Sequence, residues 1–125
     1  MKLDTRSKII PAARADEFGD AVFVAMYLDP LTATHARRLQ EIATGGRRLV
    51  VLLFDPPAPL LPMAARAELA ASLACVAAVM PGSDELAPVP HFDERSADLA
   101  RRDALTRHVF QRHAAAAGPT ESRDR

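Results

Sequence analysis

The segment Asp29-Pro30-Leu31-Thr32-Ala33-Thr34-His35 places two hydroxyls and an imidazole in four consecutive residues, between an apolar run and a helical pattern. A helix N-terminus offers unpaired N–H groups and the positive end of the helix dipole, so an imidazole or hydroxyl there suits an anion such as phosphate. His35 is thus a candidate phosphate ligand, and equally a candidate for local packing or capping. Thr32 and Thr34 are N-cap residue types whose hydroxyls can also donate to a phosphate. Asp29, ahead of Pro30, suits the fixing of a turn. The remaining histidines, His91, His108 and His113, lack ligand spacing, since His108 and His113 fall on different faces of a helix, and no metal is expected. Cys75 is alone, cannot form an internal disulfide and sits in an Ala/Leu-rich helical context, which reads as an inert buried thiol in a reducing cytoplasm. Arg101, Arg102, Arg107 and Arg112 read as a solvated helix face.

The elements that must position these groups follow from apolar patterning. Ala21 to Leu28 is a continuous apolar run ended by Asp29-Pro30, which suits a strand buried on both faces. Ala36, Leu39, Ile42 and Ala43 then share one face of a helix, capped at its start by Thr32 or Thr34 and ended by Gly45-Gly46. Arg48 to Phe54 is a second buried strand, and a strand, helix, strand order of this length implies a right-handed parallel unit. Asp55 to Pro62 is a rigid Pro-rich loop. Met63 to Ala74 reads as a helix with Pro62 near its N-terminus, and Val76 to Met80 as a third strand. Ser83 to Asp93 reads as a Pro-rich loop, with Val89 to Phe92 open to a short strand. Ser96 to Ala117 is a helix whose Leu99, Leu105, Val109 and Phe110 make a modest apolar face, followed by a frayed tail from Gly118. Met1 to Asp20 reads as a leader or irregular arm. These elements predict one Rossmann-like three-layer α/β/α domain over the whole chain, with a parallel sheet, a core over 21–81 and a shortened C-terminal half.

The 125 residues suit one domain with one core. Apolar residues make up 49% and charged residues 26%, ordinary globular composition. Sixteen basic and sixteen acidic residues cancel, so no global field draws nucleic acid or an anionic membrane. An apolar signal region is lacking and no apolar stretch is long enough to span a bilayer, so a soluble protein without nucleic-acid or membrane partners is expected.

The stretch from Val22 to His35 resembles the first strand and signature loop of the cytidylyltransferase-like nucleotidyltransferases, especially their heptose and glycerol phosphate branch. Val22, Phe23, Asp29, Leu31, Ala33 and His35 match that pattern without a gap. Arg47-Arg48-Leu49-Val50-Val51 is similar to the family's second strand, and Leu61 to Val76 to its arginine-bearing helix before the third strand. The resemblance implies a fold of the His-X-Gly-His type, with His35 and Thr32 at the catalytic phosphate positions and Tyr27, Asp29, Thr34 and Arg66 on the nucleotide. It also implies Mg2+ and CTP as cofactor and substrate if the protein is active.

The sequence departs from that pattern where the chemistry is most demanding. Two imidazoles would stabilise charge on the phosphoryl group, with glycine between them for close approach. Here the first imidazole position is Thr32 and the glycine position is Thr34. The family's Asn-Gly in the first strand is replaced by Ala25-Met26, and the segment before the arginine helix is short and Pro-rich. Thr106-Arg107 echoes the family's closing signature but lies inside a helix. The expectation is a homologue with weak or absent nucleotidyl transfer. The alternatives are an active enzyme moving CMP from CTP to a small phosphorylated acceptor, and a non-catalytic subunit binding a nucleotide (CTP or ATP) or a protein partner. A homodimer is compatible with so small a domain.

Overall fold

In the computed structural model, residues 4–82 and 87–123 are described, the last of them (116–123) by backbone alone. Four strands, β1 (Val22–Met26), β2 (Leu49–Leu53), β3 (Ala78–Pro81) and β4 (Phe92–Asp93), form one sheet in the order β3-β2-β1-β4. Every pairing is parallel, with Val22 opposite Leu49, Val50 opposite Ala78 and Val24 opposite Phe92. A parallel strand covered on both faces cannot alternate polar and apolar residues, and all five residues of β1 and of β2 are buried. The expected α/β Rossmann-like fold with a parallel sheet and a short C-terminal half is the fold observed.

One face of the sheet packs Val22, Val24, Met26, Val51 and Leu53 against Leu39 of α1 (Ala33–Ala43) and Ala67, Ala70 and Ala71 of α2 (Met63–Ala71). Burying each such Val or Leu side chain is worth about 1.5–3 kcal/mol. The opposite face carries Phe23, Val50, Leu52 and Met80, covered by Ile10, Ala12 and the half-buried Phe18. The N-terminal segment is therefore not an irregular leader. Two 3-10 turns, Thr5–Lys8 and Ala12–Phe18, flank Ile9 and Ile10, which dock on the β3 edge through a bridge from Ile9 to Val79 and a 2.9 Å bond from Ile10 N–H to Val79 O. Two isoleucines in a polar segment have somewhere to be buried only once the sheet exists.

Several boundaries differ from the patterning. The second helix stops at Ala71 because Ser72 takes the C-cap, so Cys75 sits in the following turn, where burial pushes its thiol pKa up. The third strand begins at Ala78, and the short strand after it is Phe92–Asp93. Residues 83–86 of the Pro-rich connection, like residues 1–3 and 124–125, lie outside the described residues. The last helix, α3 (Arg95–Arg123), runs past the expected end at Ala117, propagated through four alanines of high helix propensity. Among the described residues no helix is long and apolar enough to cross a membrane.

Candidate functional site

The strand order reverses at β1: the chain leaves it for β2 and β3, then returns to β4 on its other side. In open α/β sheets the crevice outside the carboxyl ends of the strands at such a reversal is the usual ligand site. A cavity of about 350 Å³ lies there, between the β1–α1 connection (Asp29, Pro30, Thr32, Thr34, His35) and one face of α3 (Asp98, Arg101, Arg102, Ala104, Leu105). The fold thus gathers Asp29, Thr32, Thr34 and His35 at one place. Tyr27 lies instead in a second depression of about 270 Å³ with Asp55 and Arg95. Arg66 lines neither.

Thr32 is the N-cap of α1, in extended conformation. Its N–H donates to His35 Nδ1 at 3.0 Å, and its hydroxyl lies 2.8 Å from the same nitrogen. This is the reciprocal arrangement of a capping box with histidine in the place normally held by Glu or Gln. A backbone N–H can only donate, so Nδ1 carries no proton and Nε2–H donates to Oδ1 of Asp98. His35 is 3% exposed, and both of its ring nitrogens are engaged within the protein.

Asp98, in the first turn of α3, was not singled out by the sequence. Its other oxygen accepts from Tyr27 N–H at 2.7 Å and Leu28 N–H at 3.0 Å. Burial pushes its carboxyl pKa up, yet the hydrogen bond and charge interaction with His35, together with the hydrogen bonds from Leu28 and Tyr27, outweigh burial and hold it below its ordinary value. Leu28 adopts φ +51°, a left-handed conformation that costs a non-glycine residue about 1–2 kcal/mol. The grip of Asp98 on its N–H and the complete burial of its side chain hold it there.

Arg66 is 0% exposed. Its Nε donates to Leu61 O at 3.0 Å, its Nη1 to Tyr27 O and Phe54 O at 2.9 Å each, and its Nη2 to Asp55 Oδ1. The guanidinium collects carbonyls where β1 and β2 end, so it holds scaffold together and is closed to a nucleotide. Ala25 and Met26 are also fully buried.

Asp29 is 3% exposed and fixes the Pro-rich loop: its carboxylate accepts from Leu60 N–H at 2.7 Å, Leu61 N–H at 2.8 Å and Arg102 Nη1 at 3.3 Å. Arg102 Nη1 also donates to Pro57 O at 2.9 Å and Ala58 O at 3.2 Å. Arg102 is therefore no solvated residue. Neither is Arg101, whose Nη1 is buried without a hydrogen-bond partner among the described residues. Asp98, Arg101, Arg102 and Leu105 are spaced i, i+3, i+4, i+7, the spacing of one helix face. That periodicity was legible in the sequence, but the polar residues on it pointed to solvent. Of the residues expected to make the apolar face, Leu99 is half-buried, whereas Leu105 is 40%, Val109 56% and Phe110 68% exposed.

Among the described residues no group of three or more His, Cys, Asp and Glu is gathered to hold a metal ion. The chain matches no protein-family model, no curated protein and no solved structure at a significant level.

Proposed function

We propose that the chain is a cytidylyltransferase-like nucleotidyltransferase homologue whose phosphate apparatus has become scaffold, leaving a non-catalytic binding domain. The observation that carries this reading is the closure of His35 between Thr32 and Asp98. An imidazole aimed at a developing phosphoryl charge must offer it an N–H, and the Nε2–H of His35 is already given to a buried carboxylate. Removing one such donor costs about a hundredfold to a thousandfold in rate, and here the second imidazole position is Thr32 as well. The residues do not fit a magnesium triphosphate at the family's position: Arg66 is closed on carbonyl oxygens and Ala25-Met26 fill the first strand.

The reading that the chain is an active enzyme moving CMP from CTP to a phosphorylated acceptor draws on one observation. Thr32, Thr34 and His35 do meet at the N-terminus of α1 and line the crevice. Titration with CTP and ATP, with and without Mg2+, combined with an assay of pyrophosphate release in the presence of glycerol phosphate, separates the two. The expected result is no release above background. Release that depends on the acceptor overturns the non-catalytic reading.

A further inference from the structure

We propose that His91 is a proton-sensitive latch at the edge of the sheet: neutral, its ring completes the pairing of β4 with β1, and protonated, it lets β4 and the start of α3 loosen.

The latch begins with a carbonyl that β4 does not supply. His91 N–H donates to Phe23 O at 2.8 Å, and a longer β4 would return the bond by offering the carbonyl of Val89 to the Phe23 N–H. The strand comprises only Phe92–Asp93, however, and Val89, set between Pro88 and Pro90, is 86% exposed. The Phe23 N–H donates instead to Nδ1 of the His91 ring at 3.0 Å. That ring lies over the ring of Phe23, with centroids 5.9 Å apart and planes 11° from parallel. A side chain thus takes the place of a strand carbonyl. β1 is an inner strand and Phe23 is buried, so leaving this N–H without an acceptor is costly.

A backbone N–H can only donate, so the bond needs a lone pair on Nδ1 and puts the single ring proton on Nε2. A second proton turns Nδ1 into a donor that opposes the Phe23 N–H. Histidine is the side chain whose charge ordinarily changes between about pH 5 and 8. His91 is exposed, so its charged ring can turn to water, whereas His35 is buried and held by Asp98 as well as Thr32. The charges on the elements around β4 have partners of their own. β1 carries no ionisable side chain, Asp93 pairs with Arg95, and Glu94 pairs with Arg38, which lies over the Phe92 ring. Ahead of β1, Asp20 pairs with Arg48, and Arg47 donates to the carbonyls of Asp20 and Ala21.

The consequence reaches the crevice because β4 leads directly into α3. The Glu94 N–H, which donates to Ala25 O at 2.9 Å, holds the same edge one step further on. Beyond it stands Asp98, on the α3 wall of the cavity. Mild acid therefore loosens the edge from which that wall is hung.

The test is hydrogen exchange of the full chain by NMR at pH 8 and pH 5, each rate divided by the rate of an unstructured peptide at the same pH. Protection of the Phe23 and Glu94 amides should fall by about threefold to tenfold at pH 5, while that of the β2 amides holds. His91→Asn keeps an acceptor at the same place but cannot titrate, so its Phe23 amide should stay protected at both pH values. An equal fall in His91→Asn, or no fall in the unaltered protein, overturns the proposal. A second measurement needs no substitution: 15N NMR of the His91 ring should show a bare Nδ1 at pH 8 that gains its proton as Phe23 loses protection. A proton on Nδ1 at pH 8, or a titration out of step with the loss of protection, overturns the latch equally.

Discussion

His35 on α1 and Asp98 on α3, 63 residues apart in sequence, share a buried hydrogen bond that ties the start of one helix to the start of another. Through its second oxygen the same carboxylate holds the backbone of Tyr27 and Leu28 at the end of β1. Three segments that meet only in the folded chain therefore depend on one side chain.

Replacement of Asp98 by Ala should be among the most damaging single changes. It leaves two backbone N–H groups and the His35 ring without their acceptor in a site that is 3% exposed, at a cost of about 3–5 kcal/mol. Asp98→Asn, which keeps the shape and one carbonyl acceptor, should cost about 1–3 kcal/mol. Urea unfolding followed by circular dichroism measures both, and a loss below about 1 kcal/mol in Asp98→Ala contradicts the assignment.

Asp98 also sets an acid dependence. Its carboxyl is held below its ordinary value in the folded protein, whereas an unfolded chain titrates near about 3.9. The stabilisation it provides is therefore full above about pH 4 and disappears as pH falls below that value toward the folded pKa. Unfolding free energies measured from pH 6 down to pH 2 should fall less steeply in Asp98→Asn than in the unaltered protein. Parallel curves would show that the carboxylate is not the group responsible.

His35 separates capping from catalysis. Gln is the usual partner in a capping box, so His35→Gln should retain the bond to the Thr32 N–H, and His35→Ala should lose that bond and the one to Asp98. A further loss of about 1 kcal/mol in Ala relative to Gln is expected. Nucleotide affinity, measured on the folded fraction, should be the same for both variants. A selective loss of CTP affinity in both would return His35 to the phosphate site.

The ion pair of Arg66 with Asp55 is asymmetric, since the Arg66 side chain is 0% and the Asp55 side chain 60% exposed. Arg66→Met should cost about 3–5 kcal/mol by stranding the carbonyls of Leu61, Tyr27 and Phe54, whereas Asp55→Ala should cost at most about 1 kcal/mol. Equal losses in denaturant titrations of the two variants would place the role of Arg66 in the ion pair instead of the carbonyls.

Arg102 should act on the Pro-rich loop. Arg102→Ala removes the donor to Pro57 O, Ala58 O and Asp29, so hydrogen exchange of the Leu60 and Leu61 amides should speed up while that of β2 stays slow. Unchanged exchange at Leu60 and Leu61 would mean that Asp29 alone secures the loop.

What the sequence by itself determined is the part governed by local periodicity. Two unbroken apolar runs had to become strands covered on both faces, the Asp-Pro stop and Thr32 had to start a helix, and the order of the elements required a parallel sheet. The placement of Thr32, Thr34 and His35 at one crevice follows from that order. Tertiary structure alone decided what those side chains are for, because hydrogen-bond partners are set by which distant segments the sheet brings together. It gave His35 to Asp98, turned Arg66 inward onto strand-end carbonyls and laid Arg101 and Arg102 against the β1–α1 connection. An arginine on a helix reads as solvated until the neighbouring element is known, and here the neighbour is a loop more than forty residues earlier in the chain.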